Sequence, residues 1–458
     1  MLAIQLRSRP LLVTFLGLIA GLSSGYSWVN LLWALLLIPP LWKSPKLAVY
    51  SCAILFGVLI RPDPSIRIAV PGGRIDGVFQ VVSMPTSVRS RSVSVVEHDG
   101  RRYRLYQPLD SPLCLGDRIT MQSAVVPLWE KAVPQHGEIA EIRPLRPIEL
   151  ARRGWPIWRW SLAMRRSFVS FVQETSSSHL VGLTEAMCLN VTGDLGDSLY
   201  EDLRTTGTIH IVSASGLHCA VICLALGWLL AMLPMPRWAQ LGVLTVCLVF
   251  YAAAAGLNAP IVRSCIGMVV GFSAYLFRRE PDPLTALSFA GLVTLVFEPA
   301  QVADTGFQLS YLAVASLIVF CHADWLTAMI ANKTKTGPKL WLAIKSNLVV
   351  SGVLAPLIAF SFGAVSLVSV ISNALILPAV PIVVAGGLSA WAVSWFPALS
   401  MGINKVLTEP AAAFILMSVE TTANAPIASA EVPAYSAHWL VLVYALIVLL
   451  WKPDRMPP

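Results

Sequence analysis

TTGTIHIVSASGLH, which runs from Thr205 to His218, is the most informative stretch of the sequence, because it is polar and yet leads directly into a long apolar run. Of the 458 residues, 56% are hydrophobic and only 13% are charged, and the mean hydropathy is +0.69. These values exclude an ordinary soluble domain of this length and predict an integral membrane protein. A bilayer-embedded backbone leaves regular helix only where protein or a water-filled cavity satisfies its polar groups. The polar stretch therefore predicts a binding or transport site.

Apolar segments recur on both sides of this stretch. They predict a polytopic α-helical membrane protein with about nine to twelve spans. The segments are Leu11–Val29, Leu31–Trp42, Lys46–Ile60, Ile211–Leu233, Leu241–Gly256, Ile261–Phe277, Leu284–Phe297, Phe307–Ile330, Leu348–Phe362, Val365–Trp395 and Trp439–Trp451. Arg7 and Arg9 precede the first segment. Because no clear small-x-small cleavage site follows them, we expect an uncleaved first span and not a signal peptide.

The placement of positive charge predicts the orientation, since short basic loops stay in the cytoplasm. The net charge is +8. Basic residues occupy alternate loops, at Lys43, Lys46, Arg237, Arg278, Arg279, Lys333, Lys335, Lys339 and Lys345. We therefore expect a multi-pass protein of the cell inner membrane with a cytoplasmic amino terminus. Four regions are predicted: amino-terminal spans in 1–62, an extracytoplasmic domain in 63–148, an interfacial helix in 149–176 and a transmembrane domain in 177–458.

Residues 63–148 contain short runs that alternate between apolar and polar residues: GVFQVVS, SVSVVEHDG, RYRLYQ, RITMQSAVV and EIAEIRPL. This period of two predicts a small extracytoplasmic antiparallel β-domain, a five-stranded barrel of OB type. Barrels of this type often bind single-stranded nucleic acid on basic and aromatic surfaces. The candidates for contact with DNA or lipid here are Arg89, Arg91, Arg101, Arg102, Tyr103 and Arg104. A solvated basic face is the alternative interpretation.

The next segment, ARRGWPIWRWSLAMRRSFVSFVQET, contains five Arg and three Trp and reaches its first acid only at Glu174. It predicts an amphipathic basic helix in the membrane interface, with Trp at headgroup depth and Arg on phosphates. Its candidate contact residues are Arg152, Arg153, Trp155, Trp158, Arg159, Trp160, Arg165 and Arg166. Anionic lipid is the default partner, and nucleic acid is the alternative.

Four polar segments interrupt the later apolar runs. A helix that resumes at Ser215 would point free N–H groups toward an outer cavity, where they favour anions. In GLNAPIVRS, Arg263 lies about one turn inside a predicted span and should face protein or water. The alternative is an arginine that snorkels to the outer membrane interface. In DTGFQLSY, Thr305 and Gln308 fit a capping box. The candidate path residues are His210, Ser213, Ser215, Gly216, His218, Asn258, Arg263, Asp304, Gln308, Ser310 and Asn373. Pro378 and Pro381, which follow Asn373, predict a kinked or discontinuous helix.

The order and spacing of these segments resemble the competence domain of the ComEC family. The matching stretches are Gly193-Asp194, LRTTGTIHIVSASGLH from Leu203, Pro260 to Arg263, DTGFQLSYLA from Asp304, and FGAVS with Asn373 to Pro378. The resemblance covers roughly 182–381. It implies an inner-membrane channel that imports single-stranded DNA during natural transformation. It also implies an extracytoplasmic DNA receptor and a cytoplasmic helicase-like ATPase as partners.

Two departures limit what is carried over from that family. Many members end in a metallo-β-lactamase-like domain, but none of the seven His forms an HxHxDH motif here. Nuclease activity is therefore not expected, and a separate nuclease is a further candidate partner. The Asn-Ala before Pro260 and Ser264 after Arg263 also fit the family pattern loosely. Because GxxxxGK[ST] is absent from the sequence, we do not expect the chain to bind ATP through a phosphate loop.

Two other functions stay open at the level of sequence. Ser215-Gly216 with His210 or His218 would suit an intramembrane serine hydrolase, although a dyad usually draws its His from another helix. A transporter of another anionic or lipid-linked substrate would use the same cavity-facing groups. The eight Cys are scattered without a CxxC pair, so we expect core packing and no metal site. No cofactor and no catalytic residue are predicted.

Overall fold

The computed structural model describes residues 10–23, 53–54, 74–88, 91–108, 113–127, 138–212, 216–279, 282–320 and 336–433. They fall into two compact units. The first unit comprises Met1–Val169, Leu189–Gly193 and Cys219–Phe307, and the second comprises Ser170–Cys188, Asp194–His218 and Gln308–Pro458. Candidate residues Arg89, Ser213 and Ser215 lie outside the described residues.

The first unit contains a closed β-barrel. Its strands are β1 Arg74–Val81, β2 Thr86–Val88, β3 Arg91–His98, β4 Arg101–Gln107, β5 Arg118–Pro127, β6 Glu138–Pro144 and β7 Glu149–Arg152. Five of them form a ring in the order β1, β3, β4, β6, β5, and the β1–β5 pairing closes it. Strand β2 adds to β3, and β7 adds to β5. The predicted five-stranded barrel is confirmed.

The barrel departs from the prediction in one respect, because β4 and β6 pair in parallel, with Tyr103 opposite Ala140. A closed ring with an odd number of strands cannot alternate direction throughout, so the expectation of a purely antiparallel domain was wrong. The alternation along β4 places Tyr103 and Leu105 inside and Arg104 and Tyr106 outside. The barrel core consists of Phe79, Val81, Val96, Tyr103, Leu105, Leu113, Ile119, Met121, Val125, Ala140 and Ile142.

Helices lie over the predicted apolar runs that the structure describes, with bounds that differ by up to twelve residues. Helices also form at 178–189, 197–205, 397–403 and 409–423, where no apolar span was predicted. The helices are α1 Pro10–Ser23, α2 Pro156–Thr175, α3 Ser178–Leu189, α4 Asp197–Thr205, α5 Gly216–Ala231, α6 Arg237–Ala254, α7 Ala259–Leu276, α8 Pro283–Phe297, α9 Thr305–Phe320, α10 Thr336–Phe362, α11 Ser369–Ile376, α12 Val380–Ala392, α13 Pro397–Ile403 and α14 Glu409–Ala423. A short hairpin, β8 Ala364–Ser366 with β9 Ser429–Glu431, accompanies the last helices. Residues 149–152, predicted as part of the basic helix, form strand β7, and α2 begins at Pro156.

Glycine allows close helix packing in both units. In the first, Gly227 of α5 lies against the ring of Phe272 on α7. In the second, a Cβ on Gly387 of α12 would lie 3.0 Å from Cys188 Sγ on α3. Small residues let helix backbones approach where the bilayer provides little hydrophobic driving force. The predicted discontinuity after Asn373 is confirmed, because α11 ends at Ile376 and α12 starts at Val380.

In the part of the chain that the structure describes, the helices define four apolar ranges long enough to cross a membrane: Ile209–Ala231, Arg237–Ala254, Ile344–Phe362 and Ser369–Ala392. Residues 213–215 within the first range lie outside the described residues. Shorter apolar helices lie at Pro10–Ile19, Pro260–Leu276, Pro283–Phe297 and Thr305–Ile318. These helices suggest a membrane protein. The predicted span count and orientation stay predictions, and the segments Leu31–Trp42 and Trp439–Trp451 lie outside the described residues.

Gly182 of α3 provides a test of the packing in the second unit. A Cβ there would collide with the backbone of Asp194, in the Gly193-Asp194 pair that follows the helix. Because a carbonyl cannot rotate away as a side chain can, Gly182→Ala should destabilise the protein by about 1–3 kcal/mol. Thermal unfolding of the purified protein measures this. Gly352→Ala on α10 is the control, because no described atom lies within 4 Å of that Cβ position. Equal melting temperatures for the two variants would contradict the prediction.

Candidate functional site

Arg263 of α7 connects two of the polar segments. It is 5% exposed, and its Nη2 donates to the carbonyl oxygen of Gly306 at 3.0 Å. Its guanidinium carbon lies 5.1 Å from the centroid of the Phe307 ring, within range of a cation–π interaction. The side chain therefore faces protein, as predicted for an Arg inside an apolar helix. It joins α7 to the first turn of α9.

Asp304 also contacts the first turn of α9. Its Oδ1 accepts the backbone N–H of Phe307 at 2.7 Å, which makes Asp304 the N-cap of α9. The capping box predicted for Thr305 and Gln308 is therefore wrong by one position, because a carboxylate competes better than a hydroxyl for the free N–H groups at a helix start. Gln308 and Ser310 are half-buried in the next turn.

The polar stretch that opens the second half folds against the β8 hairpin segment. Gly207 adopts φ +71°, and a Cβ there would approach Ser366 and Ser369 to 3.0 Å each. Thr206 and Thr208 are buried, and their hydroxyl oxygens lie 2.7 Å apart. The exposed His210 contacts the Gly207 carbonyl oxygen through Nδ1 at 3.2 Å. Two segments that lie far apart in the sequence thus meet at a polar site in the second unit.

The remaining path candidates are placed separately. His218 is 1% exposed on the first turn of α5, which starts at Gly216, and Asn373 is 7% exposed on α11. Asn258 lies at the N-cap position of α7 in the first unit. The structure therefore brings Arg263 together with the Asp304 turn, and the His210 loop together with the Ser366 segment.

On the basic strand β4, Arg102 and Arg104 face outward and Tyr103 faces the barrel core. Arg101 is exposed, and Arg102 pairs with Glu97 at 3.4 Å and with Glu298 at 3.7 Å. Tyr103 is 2% exposed in the barrel core. Its prediction as a surface contact is thus corrected, because strand alternation directs it inward between the outward Arg102 and Arg104. Arg91 is the first residue of β3.

Two arginines of the basic helix bind the barrel and not a free surface. Arg159 donates to both carboxylate oxygens of Asp117, at 2.8 and 3.0 Å. Arg165 is 6% exposed and donates to the Pro85 carbonyl oxygen at 2.6 Å. Their prediction as lipid or DNA contacts is corrected, because these side chains dock the helix. Trp158 is half-buried, and the exposed candidates are Arg152, Arg153, Trp155, Trp160 and Arg166.

Asp117 was not singled out from the sequence, although it organises this junction. Its carboxylate is fully buried and also accepts the backbone N–H groups of Cys114 at 2.8 Å and Gly154 at 2.6 Å. Burial, followed by the charge of Asp117, raises the pKa of the Cys114 thiol to about 11. Gly116-Asp117 at a turn before a strand was the available signal, but it fits any surface turn equally well. Among the described residues, no group of three or more His, Cys, Asp or Glu is placed to hold a metal ion.

Comparison with known proteins finds a family match in the helical half of the chain. The family described as Competence protein matches residues 187–456. ComE operon protein 3 of Bacillus subtilis (strain 168) is 26% identical over 260 residues, which cover 54% of this chain and 32% of that protein. Competence protein ComA of Neisseria gonorrhoeae is 30% identical over 235 residues, which cover 49% of this chain and 32% of that protein.

The chain thus aligns with about a third of the length of these curated relatives. No solved structure matches it. The predicted family resemblance is confirmed by the region that contains the polar segments. Because the matched region covers more than half of its 458 residues, the chain belongs to the Competence protein family.

Proposed function

We propose that this chain is a multi-pass inner-membrane channel that conducts single-stranded DNA into the cytoplasm during natural transformation. Family membership points to a role in DNA uptake, and the Competence match over residues 187–456 carries the proposal. Four apolar ranges of membrane length among the described residues support placement in a membrane. Within the matched region, the polar segments form two contact sites, at Arg263 with Gly306 and at Gly207 with Ser366. Polar groups inside apolar helices are expensive, which favours a functional role for them.

The barrel and the start of α2 form the proposed collecting surface on the extracytoplasmic side. The strand order with one parallel pair supports the OB type, whose β-sheet face commonly binds single strands. Arg101, Arg102 and Arg104 contribute positive charge on one strand. The exposed Arg and Trp residues near the start of α2 suit either phosphates of DNA or anionic lipid.

The proposed path continues along the polar segments of the helical half. Its residues are His210, Ser213, Ser215, Gly216, His218, Asn258, Arg263, Asp304, Gln308, Ser310 and Asn373. These residues provide few positive charges. That suits conduction, because a polyanion has to leave each site as readily as it enters.

Import of single-stranded DNA into the cell requires a source of energy. The sequence has no GxxxxGK[ST] phosphate loop. We therefore propose a separate cytoplasmic helicase-like ATPase as the motor and an extracytoplasmic receptor that delivers DNA. A separate nuclease would supply the single strand.

Uptake of labelled DNA in a strain that lacks the gene tests this function. We expect internalised, nuclease-resistant label and transformants to disappear, and this chain supplied from a plasmid to restore both. Electroporated DNA should still transform the deletion strain, because electroporation bypasses the uptake machinery. Undiminished uptake in the deletion strain would refute the proposal and would favour transport of a different anionic substrate.

A further inference from the structure

A cavity of about 490 Å³ lies in the first unit between the outer face of the barrel and the ends of three helices. Strands β2, β3 and β4 form one wall, and α7, α8 and the loop after α6 form the other. Its volume is within the range of small-ligand sites. The lining includes Arg104, Tyr106, Leu257, Asn258, Val262 and Glu298.

The barrel wall presents a cation and an aromatic ring on one strand. Arg104 and Tyr106 share the outward face of β4 because Leu105 between them is fully buried in the barrel core. Their cross-strand neighbours on β3 are Val95 and Val93, which also line the cavity. An aromatic ring beside an arginine on an apolar floor suits a nucleotide, because the ring stacks on the base and the guanidinium contacts phosphate.

The helix wall is held in a costly backbone conformation. Gly256 and Leu257 both have positive φ, at +99° and +54°. Leucine rarely adopts this region, and such strain persists where the surrounding structure requires it. A Cβ on Gly256 would lie 3.1 Å from the methyl group of Thr86, so the loop approaches the barrel closely. The loop brings Asn258 to the cavity, and the Asn258 side chain does not cap its own helix in the described structure.

A carboxylate with fixed partners forms the rim. Glu298 accepts the side-chain N–H of Gln301 at 3.0 Å and lies 3.7 Å from Arg102. This carboxylate can accept hydrogen bonds from the amino groups of a base. Arg102 continues the outward face of β4 beyond the cavity, where a neighbouring phosphate of the DNA would lie.

We propose that this cavity is a subsite for one nucleotide of single-stranded DNA. The base stacks on Tyr106 over the valine floor, Arg104 binds a phosphate, and Asn258 and Glu298 face the base edge. This inference rests on the proposed function and adds a site where the strand is held before it enters the helical part. A phospholipid would use Arg104 but has no planar ring for Tyr106 and no amino-bearing base edge.

Two matched pairs of variants test the subsite in the full-length protein, reconstituted in phosphatidylcholine nanodiscs. The probe is a short fluorescent single-stranded oligonucleotide. Val262→Phe fills the cavity from α7, and Val249→Phe adds the same ring to the exposed side of α6. Arg104→Ala and Arg101→Ala each remove one positive charge from β4, but only Arg104 lines the cavity.

We expect Val262→Phe to weaken the binding of the oligonucleotide roughly tenfold, the scale of one lost base stack, and Val249→Phe to leave it unchanged. Arg104→Ala should weaken binding several-fold more than Arg101→Ala. Wild-type affinity in Val262→Phe, or equal losses in the two Arg variants, would overturn the subsite. Loss of a co-purified phospholipid from Val262→Phe without a change in DNA affinity would also overturn it and assign the cavity to lipid.

Transformation assays separate failure of the subsite from failure of the proposed function. If Val262→Phe binds DNA and transforms like the wild type, the subsite is refuted and the channel stands. If the wild-type protein neither binds single strands nor restores uptake to a deletion strain, the proposed function is refuted and the subsite with it.

Discussion

Arg263→Ala is expected to abolish DNA uptake while the protein still accumulates in the membrane. In the wild type, the guanidinium donates to Gly306 and lies over the Phe307 ring, so it fixes the first turn of α9 to α7. Removing it deletes a charge-assisted hydrogen bond, worth about 1.5–3 kcal/mol, together with the cation–π interaction. The Asp304 cap at Phe307 N remains in the variant, but the contact between this turn and the Arg263 guanidinium is lost.

Transformation frequency, corrected for the amount of protein in isolated membranes, measures the effect. We expect transformants to fall to the background level, a loss of at least roughly a hundredfold. Arg237→Ala is the matched control, because Arg237 is also an arginine at a helix end but is exposed. Arg263→Lys keeps the positive charge without the planar fork, and we expect it to restore part of the uptake. Unchanged transformation in Arg263→Ala would contradict the assignment of Arg263 to the path.

Asp117→Ala should detach helix α2 from the barrel. The carboxylate is fully buried and accepts two backbone N–H groups, and Nη2 of Arg159 donates to both of its oxygens. Its removal leaves Arg159 and two amides without their acceptor, which costs about 3–5 kcal/mol when a buried pair is broken. The effect should therefore exceed that of any single surface substitution in the barrel.

Labelling of Cys114 by a maleimide, followed by mass spectrometry, measures this opening. In the wild type, the thiol is 1% exposed and burial raises its pKa to about 11, so little thiolate is present at pH 8. Asp117→Ala should expose the thiol and also remove a negative charge that raises its pKa, and both changes accelerate labelling. Asp76→Ala, an exposed acid on β1 of the same barrel, should label as slowly as the wild type. Equally slow labelling in Asp117→Ala would show that other contacts hold the junction.

The periodicity of the sequence was sufficient to predict the barrel, the basic helix and the helices within the apolar runs, but not α3, α4, α13 and α14. Alternation along RYRLYQ placed Arg104 and Tyr106 on one side of a strand, and the prolines after Asn373 marked the break between α11 and α12. The parallel pairing of β4 with β6 could not be predicted in the same way, because alternation specifies which face a residue occupies and not which strand lies beside it.

In the candidate site, too, local patterns predicted some features, and long-range contacts could not be predicted. An arginine inside an apolar helix must face protein or water, so the sequence indicated that Arg263 was special. Its contact with Gly306, 43 positions away, was not encoded in any local pattern. Arg159 and Arg165 were predicted as interfacial residues because their spacing along α2 suits a basic surface. In the structure, both donate hydrogen bonds to residues of the barrel. Asp117 gave only the unspecific signal of a turn before a strand, since its partner Arg159 lies 42 positions away.

Composition and short repeating patterns were thus sufficient to predict the apolar helices, the small β-domain, the polar interruptions and the family. The folded chain was needed to establish which arginines are exposed, which carboxylate caps α9 and how the barrel and the loop at Gly256 enclose a cavity. The physical reason is that solvation preferences act on each residue locally, whereas hydrogen-bond partners and cavities depend on segments that meet only after the chain has folded.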